Sequence, residues 1–376
     1  MHLLVIGHVL HKTLGDKVFA YGPYVREMNR WFQFVDRVTV ISPLDSKLLP
    51  DPIDLPYQHR NLRIEEVPEI NLLTAGSAMK TFFRLPGMLL KIARMMNSAD
   101  HIHLRCPGNM GLLGAIVQIA FPKKMKTAKY AGNWDRKSPK PFTYRLQQTI
   151  ISSPSLSKNM TVLAYGQWPG ESENVHPFFT ASYSENEKEK LVPRSIGNDQ
   201  VINLVFVGGL VSGKNPLLAA QVALKLLQNN RNIQLEFYGE GSERLAISTF
   251  IKNHNLEQRV FLRGNVPADT VKRKLQRAHF LIFISQSEGW PKVVAEAMFW
   301  GCLPVTTRVS CVPQMLGDGS RGNLVSLEID EVVKSIESDL DHPETYFQKT
   351  QAAADWSRQF TLEKFEKEIG QLLKEK

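Results

Sequence analysis

Short apolar runs recur along this chain, each followed by a segment with helical periodicity, and the series occurs twice. In the first half the runs fall at 2–7, 37–42, 101–104, 127–131 and 161–164, with helices expected near 22–34, 80–96, 109–120 and 142–151. In the second half INLVFVG, LEFYG, RVFLRG, HFLIFIS and LPVTT alternate with helices expected near 215–229, 243–253, 267–277 and 291–300. A strand that is apolar throughout, rather than at every second residue, is buried on both faces. That requires a parallel sheet covered by helices on each side. Two such series predict an α/β chain with two doubly wound, Rossmann-like parallel-sheet domains. The polar stretch SYSENEKEKLVPRSIGNDQ (182–200) reads as a linker between a domain at 1–181 and another at 201–353, with a helical segment at 354–376. Ligands of such sheets bind outside the carboxyl ends of the strands. Gly7, His103, Gly208, Gly239, Gly264 and the stretch Ser285 to Glu288 mark those ends.

Composition narrows the class. A chain of 376 residues with 43% apolar and 22% charged residues is globular and long enough for two cores. The opening MHLLVIG lacks a basic start and ends like a first strand, so it reads as strand rather than leader. The longest apolar run, GLLGAIVQIAF (111–121), is short of the roughly 20 residues of a membrane span. Cys106, Cys302 and Cys311 lack metal-ligand spacing and read as free thiols of a reducing, cytoplasmic compartment. Residues 1–180 carry 22 Lys+Arg against 13 Asp+Glu, whereas 181–376 carry 24 of each. The positive excess of the first half favours an anionic surface or ligand.

The chemistry gathers at strand ends of the second half. In FVGGLVSGKNP (206–216), Gly208, Gly209 and Gly213 allow close backbone approach, Asn215 and Pro216 suit a helix start, and Lys214 adds a cation. This is an expected phosphate site. It stops short of a P-loop, because Asn215 stands where magnesium needs Ser or Thr. YGEGSER (238–244) supplies a second glycine turn, with Ser242 as the expected helix cap. SEGWPKVVAEAMFWG (287–301) places Glu288 in a loop and Glu296 inside the helix bracketed by Pro291 and Gly301. A carboxylate there can accept two sugar hydroxyls in charge-assisted bonds, or it can pair with Lys292 on a solvated face.

HFLIFISQSEGWPKVVAEAMFWGCLPVTT resembles the glutamate-x7-glutamate signature of glycosyltransferase family 4, the retaining group 1 transferases of GT-B fold. FVGGLVSGKNP, FYGEGSER and VFLRGNVP are similar to the same family over about 200–325. YGPYVREMNRW and ADHIHLRCPGNMG carry a looser likeness in the first half. The resemblance implies a GT-B architecture, two domains facing across a cleft. It also implies a nucleoside-diphosphate sugar as donor, a glycan or lipid-linked acceptor, and no metal or other cofactor. In it Glu296 holds the ribose, while Glu288 and the backbone at Gly289 and Trp290 hold the transferred sugar. Gly208, Gly209, Gly239 and Gly264 line the donor, and Lys214 offsets the diphosphate. Gly22 lies near the diphosphate, and His103 faces the donor sugar from the first domain. Two departures stand out. Gly209 replaces the family's phosphate-binding arginine, which leaves Arg263 or helix dipoles to meet that charge. Pro291 replaces a glycine and removes a backbone N–H.

Other features remain open. His101 and His103 share one strand face, so either can be the one that meets ligand, and either can be a satisfied core histidine. MKTFFRLPGMLLKIARMMN (79–97) mixes Phe82, Phe83, Leu85, Leu89 and Leu90 with Lys80, Arg84, Lys91 and Arg94. With 123–145 it forms either a face for peripheral contact with an anionic membrane or a buried helix with a basic edge. No nucleic-acid module is visible. DLD (339–341) reads as a solvated charge pair. Trp356 and Phe360 are expected to anchor a last helix on the first domain. The rival functions are a nucleotide-sugar epimerase, a P-loop nucleotidase, and a catalytically silent nucleotide-sugar binding protein.

Overall fold

The computed structural model describes residues 1–51, 53–68, 70, 75–192, 194–197 and 200–374, without the side chains at 75–78, 80 and 81. Pro193, Asn198 and Asp199 of the expected linker, and the Lys80 side chain of the basic segment, lie outside that description. The chain divides into two units, Met1–Phe178 with Phe365–Lys376, and Phe179–Lys364.

The first unit opens with β1 (His2–Ile6), β2 (His11–Leu14), β3 (Lys17–Tyr21) and α1 (Gly22–Phe32). Next come β4 (Arg37–Ser42), β5 (Asp54–Pro56), β6 (Leu62–Glu66), α2 (Ala75–Ser98), β7 (His101–Cys106) and α3 (Asn109–Val117). It closes with β8 (Met125–Tyr130), α4 (Phe142–Ser152), β9 (Met160–Tyr165) and β10 (Val175–Phe178). Seven strands form one sheet in the order β10-β9-β8-β7-β1-β4-β6, and every pairing in it is parallel. The buried Leu4, Ile6, Ile102, Leu104 and Ala128 explain why the runs are apolar without alternation. Strands β2, β3 and β5 form a separate antiparallel sheet that the apolar runs did not announce. Its strands are short and partly exposed, so no continuous apolar run marks them.

The second unit carries β11 (Ile202–Val207), α5 (Pro216–Gln228), β12 (Ile233–Tyr238), α6 (Arg244–Asn253), β13 (Val260–Gly264) and α7 (Ala268–Leu275). It continues with β14 (Phe280–Phe283), α8 (Lys292–Phe299), β15 (Leu303–Thr307), α9 (Val312–Met315), β16 (Asn323–Val325), α10 (Ile329–Asp341) and α11 (Pro343–Ser357). The sheet order is β13-β12-β11-β14-β15-β16, again parallel throughout. Phe206, Phe237, Phe280, Ile282 and Val305 build its core, and each such burial contributes roughly 1.5–3 kcal/mol. The order reverses between β11 and β14, which opens a crevice at their carboxyl ends.

The polar stretch 182–200, read as a linker, clusters with the second unit. Its charged side chains are ties: Arg194 donates to the carbonyls of Leu275, Gln276, Trp300 and Gly301. Several expectations are corrected here. Asp339 is buried, not solvated; it accepts from Asn323 at 2.6 Å and from Lys349 at 2.7 Å. Trp356 lies in α11 and stacks on Trp290 of its own unit at 6.0 Å, with Phe360 at 4.7 Å. The last helix is α12 (Leu362–Lys374), whose residues from Phe365 onward cluster with the first unit. There Phe365 packs on Phe178 at 5.6 Å, and Glu366 pairs with Arg30. Part of the basic field at 123–145 is interior. Lys126 is buried and donates to the Phe121 carbonyl at 2.9 Å, and burial lowers its pKa to about 8. Lys129 is fully buried beside Glu27 at 3.0 Å.

Candidate functional site

At the carboxyl ends of β11 and β14 the second unit brings the Gly208–Lys214 loop and Glu288 together. The loop after β11 is stitched to the strand ends around it by backbone bonds. Gly208 donates to Tyr238, Leu210 to Glu240, and Gln286 to Gly213, each at 2.9 Å. The turn after β12 needs glycine. A Cβ on Gly239 would lie 2.0 Å from the Gly208 carbonyl oxygen, at a φ of +145°, and one on Gly241 would lie 2.3 Å from the Leu210 oxygen. Gly264, at φ +72°, closes the same row above Glu240. Gly208 and Gly209 face open space; a Cβ on Gly209 would meet nothing nearer than 3.9 Å. There is room where the family's arginine would stand.

Lys214 ends a short 3-10 turn at Ser212–Lys214 and its ammonium pairs with Glu288. It also lies 4.9 Å from the centre of the Phe283 ring. Glu288 further accepts the hydroxyl of Ser285 at 2.6 Å. Ser285 is in turn fixed through its carbonyl, which accepts from the Thr307 hydroxyl. Glu288 is therefore held by two donors at one oxygen, Oε1, its side chain only 11% exposed. Ser285 was marked in the sequence only as part of a strand end, and Thr307 was not marked at all. Their signal was the Ser that ends the run HFLIFIS and the Thr that ends LPVTT, two adjacent strand ends.

Asn215 does not cap α5 with its side chain. It adopts a left-handed backbone (φ 50°) and donates to the Ile284 carbonyl at 2.7 Å, tying loop to strand. Ser242 likewise leaves α6 uncapped, since the helix starts one residue later than expected, after Glu243. The P-loop reading has no support in this geometry, because Lys214 is turned to Glu288 and Asn215 to backbone.

Glu296 sits in the middle of α8, beside the buried Val294, Ala297 and Met298. Its Oε1 accepts the hydroxyl of Ser182 at 2.5 Å. Gly289 accepts the Cys311 thiol at 3.3 Å, and burial pushes that thiol up to about 12. Trp290 packs against Trp356 and Phe360. Arg263 departs from its expected role: it is paired with Glu236 at 2.7 Å, in a cluster with Lys274 and the Tyr238 hydroxyl. It shares that one carboxylate with Lys274, and its side chain is 44% exposed.

In the first unit His103 lies within β7, not at a strand end, because the strand runs on to Cys106. It is fully buried, its Nδ1 2.8 Å from the Thr127 hydroxyl and its ring 4.3 Å from that of Trp31. His101 shares that Thr127 hydroxyl at 3.0 Å. Burial holds both imidazoles neutral, His101 down to about 4 and His103 well below its ordinary value. His103 thus lies in the interior of the first unit. Gly22 opens α1, where its N–H donates to the Ile53 carbonyl at 3.1 Å. A Cβ there would lie 2.3 Å from that oxygen, so the glycine serves the packing of β5.

Residues 187–356 match the family profile of the glycosyl transferases group 1. This part of the chain belongs to that family. The crevice residues Gly208 to Lys214, Glu288 and Glu296 all lie inside it. One component of the phosphatidylinositol N-acetylglucosaminyltransferase of Arabidopsis thaliana is 28% identical over 137 residues, 36% of this chain and 30% of the relative. The N-acetyl-alpha-D-glucosaminyl L-malate synthase of Bacillus anthracis is 31% identical over 91 residues, 24% of this chain and 23% of the relative. The chain thus spans under a third of the length of these two curated relatives. The crystal structure of Anabaena HepE in complex with UDP aligns over 99% of both chains, with a TM-score of 0.70 and 16% identity. That likeness establishes the fold, the GT-B fold of glycosyltransferases.

Proposed function

We propose that this chain is a glycosyltransferase that moves a sugar from a nucleoside-diphosphate sugar to a hydroxyl of a glycan or lipid-linked acceptor, in the making of polysaccharide or envelope glycan. The observation that carries the reading is the pairing of Lys214 with Glu288 at the switch point of a group 1 domain, with Glu296 eight residues on. The donor we infer is a UDP N-acetylhexosamine. Both relatives are named for an N-acetylglucosaminyl group, and HepE was crystallised with UDP.

In this reading Glu296 accepts the ribose hydroxyls and Glu288 accepts hydroxyls of the transferred sugar. The bond between the anomeric carbon and the diphosphate oxygen breaks as the acceptor oxygen bonds to that carbon. The acceptor proton passes to the departing phosphate, and configuration is retained as in family 4. Negative charge grows on the diphosphate, and Lys214 stabilises it from a partly dry position. No metal or other cofactor enters. The first unit takes the acceptor. The outward side of α2 exposes Met79, Phe82, Phe83 and Leu90 beside Arg84 and Arg94, and it rests on an anionic bilayer at the cytoplasmic face.

The test is UDP release from UDP N-acetylhexosamines in the presence of a total lipid extract. Glu288→Ala should mainly slow release, while Glu296→Ala should mainly raise the donor concentration required. No release from any UDP sugar would sink the reading; equal effects of the two substitutions would sink the division of roles. For the membrane face, Phe82→Ser with Phe83→Ser should abolish flotation on phosphatidylglycerol vesicles. Protein that stays at the bottom before the substitutions removes this part of the proposal.

A further inference from the structure

Ser182 lies four residues past the boundary between the units, in a stretch whose composition suggested only a connection. Its hydroxyl donates to Glu296 Oε1 at 2.5 Å. The segment around it is fixed. The Tyr183 ring packs on Phe299 at 4.9 Å and on Trp300 at 5.1 Å, at the end of α8, and the Tyr183 carbonyl accepts the Leu362 N–H at 2.9 Å. Burial, and then the Glu296 carboxylate, raise the pKa of the Tyr183 phenol, which stays neutral against it.

A glutamate on a helix has three side-chain torsions to fix before it can accept two hydroxyls in one plane. Ordering such a side chain costs up to about 2 kcal/mol. An ionised carboxylate offers about four lone-pair sites. Ser182 uses one on Oε1, which leaves the second site of that oxygen and both sites of Oε2. The torsions are thereby set before ligand arrives, and two adjacent hydroxyls can still be accepted.

We infer that Ser182 is a positioning residue: it pre-orients the Glu296 carboxylate for the 2′- and 3′-hydroxyls of the donor ribose, and so sets the preference for ribonucleotides over deoxyribonucleotides. The inference rests on the role given to Glu296 above. It makes the stretch 182–183 part of the donor site.

The experiment is calorimetric titration of the whole chain with UDP and with 2′-deoxy-UDP, for wild type, Ser182→Ala, Ser182→Thr and Glu296→Gln. In wild type UDP binds more tightly. Ser182→Ala weakens UDP by about tenfold, the scale of one hydrogen bond to a charged group. It weakens 2′-deoxy-UDP far less, so the ratio of the two constants falls. Ser182→Thr, which keeps the hydroxyl, restores the ratio. Loss of a merely structural contact would weaken both ligands alike, and that result overturns the inference. If Glu296→Gln erases the preference while Ser182→Ala preserves it, the inference alone falls. If Glu296→Gln also leaves the preference intact, the ribose role of Glu296 falls with it.

Discussion

Replacing Lys214 by methionine removes the ammonium that Glu288 accepts while keeping the length of the side chain. The Glu288 side chain is 11% exposed and that of Lys214 27%. A hydrogen bond to a charged group contributes roughly 1.5–3 kcal/mol. The partial exposure of Lys214, and the Ser285 hydroxyl that remains on Glu288, reduce the expected loss to about 1–2 kcal/mol. For a unit the size of Phe179–Lys364 this lowers Tm by roughly 2–8 °C. Binding suffers more. An ammonium about 4 Å from a diphosphate charge contributes about 4 kcal/mol at an effective dielectric constant of 20. UDP affinity should then fall by a factor on the order of 10² to 10³. Part of that loss is repulsion from the uncompensated Glu288. The pair Lys214→Met with Glu288→Gln should therefore bind UDP better than Lys214→Met alone, and be more stable than the two single losses added together. Scanning calorimetry and UDP titration of the four proteins close the cycle. Effects that add within about 0.3 kcal/mol in both measurements would refute the coupling.

Gly209→Arg should fold normally, because a Cβ there meets nothing nearer than 3.9 Å, and should tighten UDP binding by restoring the family's cation; an unchanged dissociation constant counts against a diphosphate there. Gly239→Ala forces a Cβ to within 2.0 Å of the Gly208 oxygen at a positive φ, so denaturant unfolding should show a loss of more than about 3 kcal/mol. Stability should also depend on pH through the buried histidines. His101 and His279 are held neutral, with pKa values lowered by burial to about 4 against 6.5 for an exposed imidazole. Between those values the unfolded chain binds more protons, so stability is flat above about pH 6.5 and falls as pH drops toward 4, by up to about 1.4 kcal/mol per unit and per histidine. Urea unfolding at pH 7, 6 and 5 measures the slope, and His101→Gln should make it shallower.

What the sequence revealed, and what it hid, divides along physical lines. Strands such as HFLIFIS are apolar at every position, and only a sheet covered on both faces rewards that, so the parallel order was legible. The carboxyl ends of the strands followed from it as the ligand edge, and the Gly208–Lys214 loop and Glu288 fell there; the strand order, and with it the switch point, came only from the structure. Side-chain partners were not legible. Lys126 and Lys129 counted as surface charge, because composition cannot tell that one reaches backbone carbonyls and the other a buried carboxylate. Arg263 looked available to a ligand because Glu236, the residue that holds it, lies on another strand. His103 looked terminal because the apolar run stops at Leu104, whereas the hydrogen-bonded strand continues through Arg105 to Cys106. Ser182 was passed over because a polar stretch between two sheets reads as a connection, although here it reaches Glu296.

The central claim, that the crevice of the second unit grips a nucleoside diphosphate through Lys214, Glu288 and Glu296, is tested most directly by titrating the whole chain with UDP, GDP, ADP and CMP in a calorimeter. One saturable site is predicted, with UDP preferred and a stabilisation of about 2.7 kcal/mol at one hundred times the dissociation constant. Heats indistinguishable from dilution for all four nucleotides would contradict it.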